Sequence, residues 1–262
     1  MRCVEARAVL SLLSGALGFW QTPGMSAVRG ARERARAEVT AAIKDEARRQ
    51  LATEGAARLS LRAVARELGM VSSALYRYFP SRDDLLTALI VDAYDAVGEA
   101  AEQAAARAGE GTDWAGRWVE VAAAVRVWAL AHPHEYALIY GSPVPGYTAP
   151  GDTVPPAARV ASVLIGIVRE AHRAGAVTPP PLGDEAAPEA ERLAGDLAEL
   201  TGDLPPAVVA ALVAAWAQLF GLISFELFGH FHRVVEDRER FFTHSLRALA
   251  RSVGLPDGPA VV

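Results

Sequence analysis

Two short stretches with helical spacing, bent across Gly69, constrain this chain more than anything else in its 262 residues. In RLSLRAVARELGMVSSALYRYFPSRDDLL (58–86), Leu61, Val64, Ala65 and Leu68 recur at the spacing of one helix face. Ser60 is placed to cap that helix, and Gly69 supplies the turn. A second short helix is predicted over about 72–78, ending before Pro80. It begins with small residues, Ser72, Ser73 and Ala74, and then carries Tyr76 and Arg77. Two short helices joined this way are how a protein offers one helix to the major groove of DNA.

Composition sets the class around that motif. The chain is 52% hydrophobic and rich in alanine, leucine, arginine and glutamate, all strong helix formers, so an all-α protein is predicted. The single Cys3 excludes a disulfide framework within the chain and fits a reducing cytoplasm. A net charge of −5 is unusual for a nucleic-acid binder, but it is unevenly spread. Residues 29–90 hold 12 basic and 8 acidic side chains, whereas 91–262 hold 12 and 22. A basic module on an acidic body suits phosphate contact at one end; ordinary surface solvation is the plain alternative.

The first residues are set apart. AVLSLLSGALGFW (8–20) follows Arg2 and Arg7 and resembles a short signal-peptide core. Against export, no small-x-small site clearly follows, and the next segment is a basic helix. The reading is an N-terminal extension, with Met25 beginning the working chain and a flexible basic arm to residue 33. Residues 34–53 then place Val39, Ile43, Ala47 and Leu51 four apart on one helix. Ser81-Arg82-Asp83-Asp84 matches a capping box opening a helix that runs to about 107. Further helices are predicted from about 113, over 133–140, 156–174, 205–229 and 236–253. Loops are expected at 141–156 and, as a mobile linker, at 178–191. The division that follows is an extension (1–33), a helix–turn–helix domain (34–82), a helical body (83–254) and a tail (255–262).

With these residues in view, the chain resembles the TetR family of transcriptional regulators. The resemblance rests on Ala63-Val64-Ala65, Leu68-Gly69, Leu75-Tyr76-Arg77-Tyr78-Phe79 and Pro80-Ser81-Arg82-Asp83-Asp84-Leu85-Leu86, in that order over about 34–90. HPHEYALIYGSPVPGY (132–147) is similar to a ligand-domain segment of one subgroup. Where the family often has Ser or Thr, this chain has Val71, so Ser72 or Ser73 must cap the recognition helix or the helix starts one residue later. The resemblance implies an N-terminal three-helix DNA-binding domain and a C-terminal helical domain for ligand binding and dimerisation. It further implies a homodimer on a palindromic operator, its DNA grip changed by an unknown small-molecule effector.

Roles follow by position. Ser72, Ser73 and Ala74 are short enough to let the backbone approach base edges, and Ala74 suits a thymine methyl. Tyr76 and Arg77 are assigned to phosphates, with Ser60 and Arg82 completing a clamp and Arg62 touching the backbone; a solvated helix face is the plain alternative. Arg29, Arg32, Arg34 and Arg36 either reach the minor groove or belong to a tail without contacts. Trp118, Val125, Tyr136, Tyr140, Tyr147, Trp216 and Phe220 are candidates to line a cavity for a flat or lipophilic ligand, plain core being the alternative. Segment 205–229 is apolar enough to raise a membrane span, but Gln218 and Glu226 within it favour a dimer interface. That interface is predicted from Val209, Leu212, Trp216, Leu219 and Ile223 on one helix with Phe242, Leu246 and Leu249 on the last.

No metal or other cofactor is expected: His132, His134, His172, His230, His232 and His244 lack the partners of a zinc site. No nucleophile elbow, phosphate loop or dinucleotide fingerprint appears, so an enzyme is not expected. The reading is a cytoplasmic, one-component, sequence-specific DNA-binding regulator and repressor. Its partners are operator DNA, a second copy and an effector, with no membrane. A helical small-molecule carrier without a DNA role is the alternative.

Overall fold

The computed structural model describes residues 23–109, 111 and 113–256, with side chains from Gly30 onward. Expectations for the segment before Pro23, including the apolar stretch 8–20, lie outside the described residues. The described chain is helical, without strands: α1 (Pro23–Glu54), α2 (Leu61–Glu67), α3 (Ser72–Leu75), α4 (Arg82–Ala108), α5 (Trp114–Ala131) and α6 (Pro133–Tyr140) come first. They are followed by α7 (Val154–Arg173), α8 (Ala187–Asp196), α9 (Ala198–Thr201), α10 (Pro206–Leu227) and α11 (Arg238–Ser252).

Residues 26–33, expected as a flexible arm, are helical and belong to the first turns of α1. Alanine, arginine and glutamate carry that part on propensity alone, since residues 31–38 are all exposed. Packing begins where the stripe of Ile43, Ala47 and Leu51 turns inward, all three being buried. The linker expected over 178–191 also differs. Pro188 opens α8, whose Ala190 is buried and whose Leu193 and Ala194 pack on the body's core. One apolar contact per turn is too faint a signal beside so much proline and glycine.

Two apolar clusters share α4 as a common spine. Ile43, Ala47, Leu51, Leu61, Val64, Leu75 and Phe79 close on Leu85, Leu86 and Leu89 at the N-terminal end of α4. Further along, Ala93, Val97 and Ala101 join the larger core of α5, α7, α10 and α11. The core of the helix–turn–helix therefore continues past residue 82, where a boundary was expected. The start of α4 is fixed by the capping box read from the sequence. The Ser81 backbone N–H donates to Asp84 Oδ2 at 2.9 Å, and the Asp84 N–H donates to Ser81 Oγ at 3.1 Å.

Helix α10 has the length and composition of a membrane span, yet it packs against α8, α11 and α5. Val208, Val209, Leu219 and Ile223 are fully buried, each worth about 1.5–3 kcal/mol relative to exposure. Glu226, buried on the same helix, receives Arg126 of α5 in a bidentate pair with both contacts at 2.6 Å. The Arg126 guanidinium also lies 5.1 Å from the Phe242 ring centroid, so α5, α10 and α11 meet at one charged junction.

Candidate nucleic-acid interface

The recognition segment is held from behind and open in front. Leu75 is fully buried and Phe79 nearly so, anchoring α3 and the turn after it against Val64, Leu85 and Leu86. Gly69 takes the left-handed conformation (φ 64°) that closes α2, and the Met70 N–H donates back to Ala65 O at 2.8 Å. The chain is thereby turned abruptly into α3, which is shorter than the predicted 72–78. Tyr76, Arg77 and Tyr78 follow as a turn, with Tyr78 N–H donating to Leu75 O at 2.8 Å.

On the outer side stand Ser72 and Ser73, exposed, with Ala74 half-buried beside them. Tyr76 is 41% exposed, and Arg77 and Arg62 are exposed with no ion pair to any described residue. Unpaired guanidinium groups next to a phenol and two hydroxyls form a donor-rich surface suited to phosphates and base edges. Neither serine caps α3. Val71 occupies the cap position, 70% exposed, and no side chain bonds the first turn.

Two predicted residues are placed differently from the exposed set. Ser60 Oγ accepts the Ala63 N–H at 3.4 Å, so it serves as the cap of α2 and is half-buried. Arg82 directs its guanidinium inward, with Nε donating to Leu59 O at 3.2 Å and Nη2 to Ala56 O at 2.8 Å. It ties the start of α4 to the turn before α2, which leaves it no free fork to offer a phosphate. A different arginine supports the site from α1: Arg36 Nη2 donates to Arg77 O at 3.5 Å, and its guanidinium lies 5.1 Å from the Tyr78 ring centroid. Sequence spacing could not find that brace, because 41 residues separate the partners. Arg58, passed over in the sequence, stands exposed in the turn before Ser60. Arg32 and Arg34 are exposed on α1, and the side chain of Arg29 lies outside the described residues.

The body gathers its predicted residues only in part. Trp118 and Trp216 line one cavity. Val125, Tyr136 and Phe220 are core: the Tyr136 hydroxyl donates to Phe220 O at 3.0 Å and lies 2.9 Å from Ser224 Oγ. Tyr140 stacks on Phe220 with ring centroids 4.0 Å apart and borders a separate cleft. Tyr147 leaves the body for the DNA-binding end, its hydroxyl 2.9 Å from that of Thr87. The residues expected at the dimer surface lie mostly inside one copy. Val209, Leu219 and Leu246 are fully buried within one copy, with Leu212, Phe242 and Leu249 nearly so, and Trp216 is half-buried against them. These side chains pack on α5 and α8 of their own copy.

A helix–turn–helix anchored on a long helical body, with an unpaired basic and hydroxylic surface on its second helix, defines a DNA-binding regulator. Residues 43–89 match the model for bacterial regulatory proteins of the tetR family, and residues 118–249 match that for the tetracyclin repressor-like C-terminal domain. The chain belongs to the TetR family of transcriptional regulators. It is 42% identical over 210 residues to the HTH-type transcriptional regulators Rv1816 of Mycobacterium tuberculosis and Mb1846 of Mycobacterium bovis, spanning 77% of this chain and 86% of theirs. Among solved structures, the regulatory protein SCO4313 superposes with a TM-score of 0.70 at 35% identity, covering 83% of this chain and 97% of that one. A protein of unknown function from Rhodococcus sp. RHA1 shares the fold, with a TM-score of 0.62 at 23% identity over 82% and 95% of the two chains.

Proposed function

We propose that this regulator is a ligand-responsive repressor that binds a palindromic operator as a homodimer in the cytoplasm. The observation that carries the reading is the set Arg62, Ser72, Ser73, Tyr76 and Arg77, outward on a segment whose Leu75 and Phe79 are locked inside. Ser72, Ser73 and Ala74 face base edges, Tyr76, Arg62 and Arg77 hold phosphates, and Ser60 and Arg82 set the frame that presents them. Two such segments reach successive major grooves when the copies hold them about 34–36 Å apart.

The second copy docks on the outward face of α10 and α11. Ala214, Ala217 and Gln218 are exposed there with Phe225, Phe241 and Ala248, whereas the formerly expected residues point the other way. Small side chains allow close helix approach, and exposed phenylalanines supply apolar area that a lone copy leaves in water. Regulation of this kind needs binding alone, so the reading assigns the chain no reaction.

The test is selection of bound duplexes from random DNA, followed by affinity measured over a salt series. An inverted-repeat consensus is expected, with log affinity falling steeply against log salt. Absence of any preferred duplex at low salt would overturn the reading.

A further inference from the structure

Helix α1 outruns the domain it belongs to. Its packed stretch starts near Val39, and residues 31–38 are all exposed. Its C-terminal end borders the body, where Leu51 shares a cleft with Tyr140, Ser224 and Phe228. At Arg36 it passes the recognition segment, where Nη2 donates to Arg77 O at 3.5 Å. The axis therefore runs from the body past the recognition turn, and residues 23–35 project beyond it. At 1.5 Å per residue, that projection reaches about 20 Å past Arg36. We infer that these turns of α1 form a second DNA contact, a phosphate-binding arm along the backbone that flanks each half-site. The inference rests on the recognition segment facing a duplex, as proposed above.

Charge gives the first reason. Positions 29, 32 and 36 are all arginine, spaced three and four apart as on one helix face. Arg36 faces the recognition turn, its guanidinium 5.1 Å from the Tyr78 ring centroid, so the same face continues outward to position 32. Arg32 is exposed and has no partner among the described residues. Like charges four apart cost a helix about 0.2–0.5 kcal/mol, and no packing offsets that cost here. A row of anions alongside relieves the repulsion, and a duplex carries one about every 1.7 Å of its axis.

Shape selects phosphates over base edges. A helix with its side chains is about 10–12 Å across, whereas the minor groove is about 6 Å wide. The arm is too thick to enter that groove, and the recognition segment takes the major groove of the half-site. It therefore tracks the backbone, adding affinity without reading sequence. Arg34 stands apart from this face. A Cβ added at Gly30 would lie 3.4 Å from Arg34 Nη1, so that side chain folds back along its own helix.

The experiment uses the full chain and the inverted-repeat duplex recovered by selection, made in two lengths. One ends at the half-sites; the other continues about eight base pairs on each side, past the reach of the arm at about 3.4 Å per pair. The unaltered chain is expected to bind the long duplex about tenfold tighter in dilute salt, its salt slope steeper by about 0.9 for each added phosphate contact. Arg29→Ala with Arg32→Ala should bind both lengths alike and select the same consensus. Alanine is the strongest helix former, so helical content should not change. Arg29→Lys with Arg32→Lys should restore the preference for length, since a phosphate needs a cation and no fork, and Arg34→Ala should keep it. On a random-sequence duplex, which needs no selected site, the double-alanine variant should still show the lower salt slope. Equal binding of both lengths by the unaltered chain, a preference that survives double alanine, one that lysine does not restore, one lost in Arg34→Ala, or an equal slope on random sequence overturns the proposal. Arg77→Ala tests the reading beneath it: weaker binding of both lengths upholds the recognition segment whatever the arm does, and no effect on either counts against that segment alone.

Discussion

The hydroxyl of Tyr147 lies 2.9 Å from that of Thr87, joining the loop after α6 to the first third of α4. Leu138 and Val144 pack on the same apolar cluster as Leu75 and Phe79, so this loop touches the core that carries the recognition segment. Asp92 of α4 adds a second tie, taking Lys44 Nζ at 2.7 Å and Arg48 Nη2 at 2.6 Å from α1. A double-mutant cycle of Thr87→Val and Tyr147→Phe is expected to give a coupling of about 0.5–1.5 kcal/mol in urea unfolding. Additive effects would show that the two hydroxyls do not interact.

Arg77→Ala is expected to weaken every duplex alike and to lower the salt slope by about one, as loss of one phosphate contact should. Ser73→Ala should instead redistribute preference among sequences with little change in salt slope. Competition binding over a salt series separates the two; an unchanged slope in Arg77→Ala would remove that residue from the phosphate contacts.

Phe225 and Leu212 lie on opposite sides of α10, the first 53% exposed and the second buried. Phe225→Asp is expected to keep its helical content and sediment as a monomer with little operator affinity. Leu212→Asp places a carboxylate in the core without a partner and should unfold the body. Circular dichroism beside sedimentation velocity distinguishes dissociation from unfolding.

The Arg126–Glu226 pair offers a sharper test of stability. Glu226→Ala strands a guanidinium that is largely out of water and should cost about 3–5 kcal/mol in denaturant unfolding. Replacing both, as Arg126→Met with Glu226→Leu, is expected to be near neutral or stabilising, because neither ion then needs desolvating.

Alkaline pH should loosen the same region. Burial pushes the Tyr136 hydroxyl up to about 12, and it raises Tyr140 and Tyr94 as well. A folded value above the unfolded value near 10 means that the unfolded chain releases these protons first. Their contribution is whole below pH 10 and is lost as pH climbs toward 12, by about 2–3 kcal/mol for Tyr136 alone. Tyr136→Phe should flatten that decline in denaturant midpoints while starting from lower stability, since its contacts with Phe220 and Ser224 are gone.

Local rules carried the reading where neighbours in sequence are neighbours in space. The periodicity of α2, the turn at Gly69 and the Ser81–Asp84 box are all encoded within a few residues. What escaped was set by distant partners. Leu212 and Leu246 look the same whether they meet α5 of their own chain or a second copy, because amphipathic spacing gives a direction and no identity to the neighbour. The inward turn of Arg82 depends on carbonyls of Ala56 and Leu59, which become available only once α1 has ended. Among the aromatics of the body, residue type does not separate Trp118, at a cavity, from Tyr136, sealed by its own hydrogen bonds.

Val71 at the start of α3 has a wider consequence. A four-residue helix whose first amides lack a side-chain partner gains little from its own backbone and depends on what it meets for its final rigidity. Duplexes that supply acceptors to those amides repay the ordering; others leave the segment half-formed and let go sooner. Discrimination then resides in how long the protein stays as much as in which base edges it touches, and a polar replacement at this position would make it a firmer but less choosy reader.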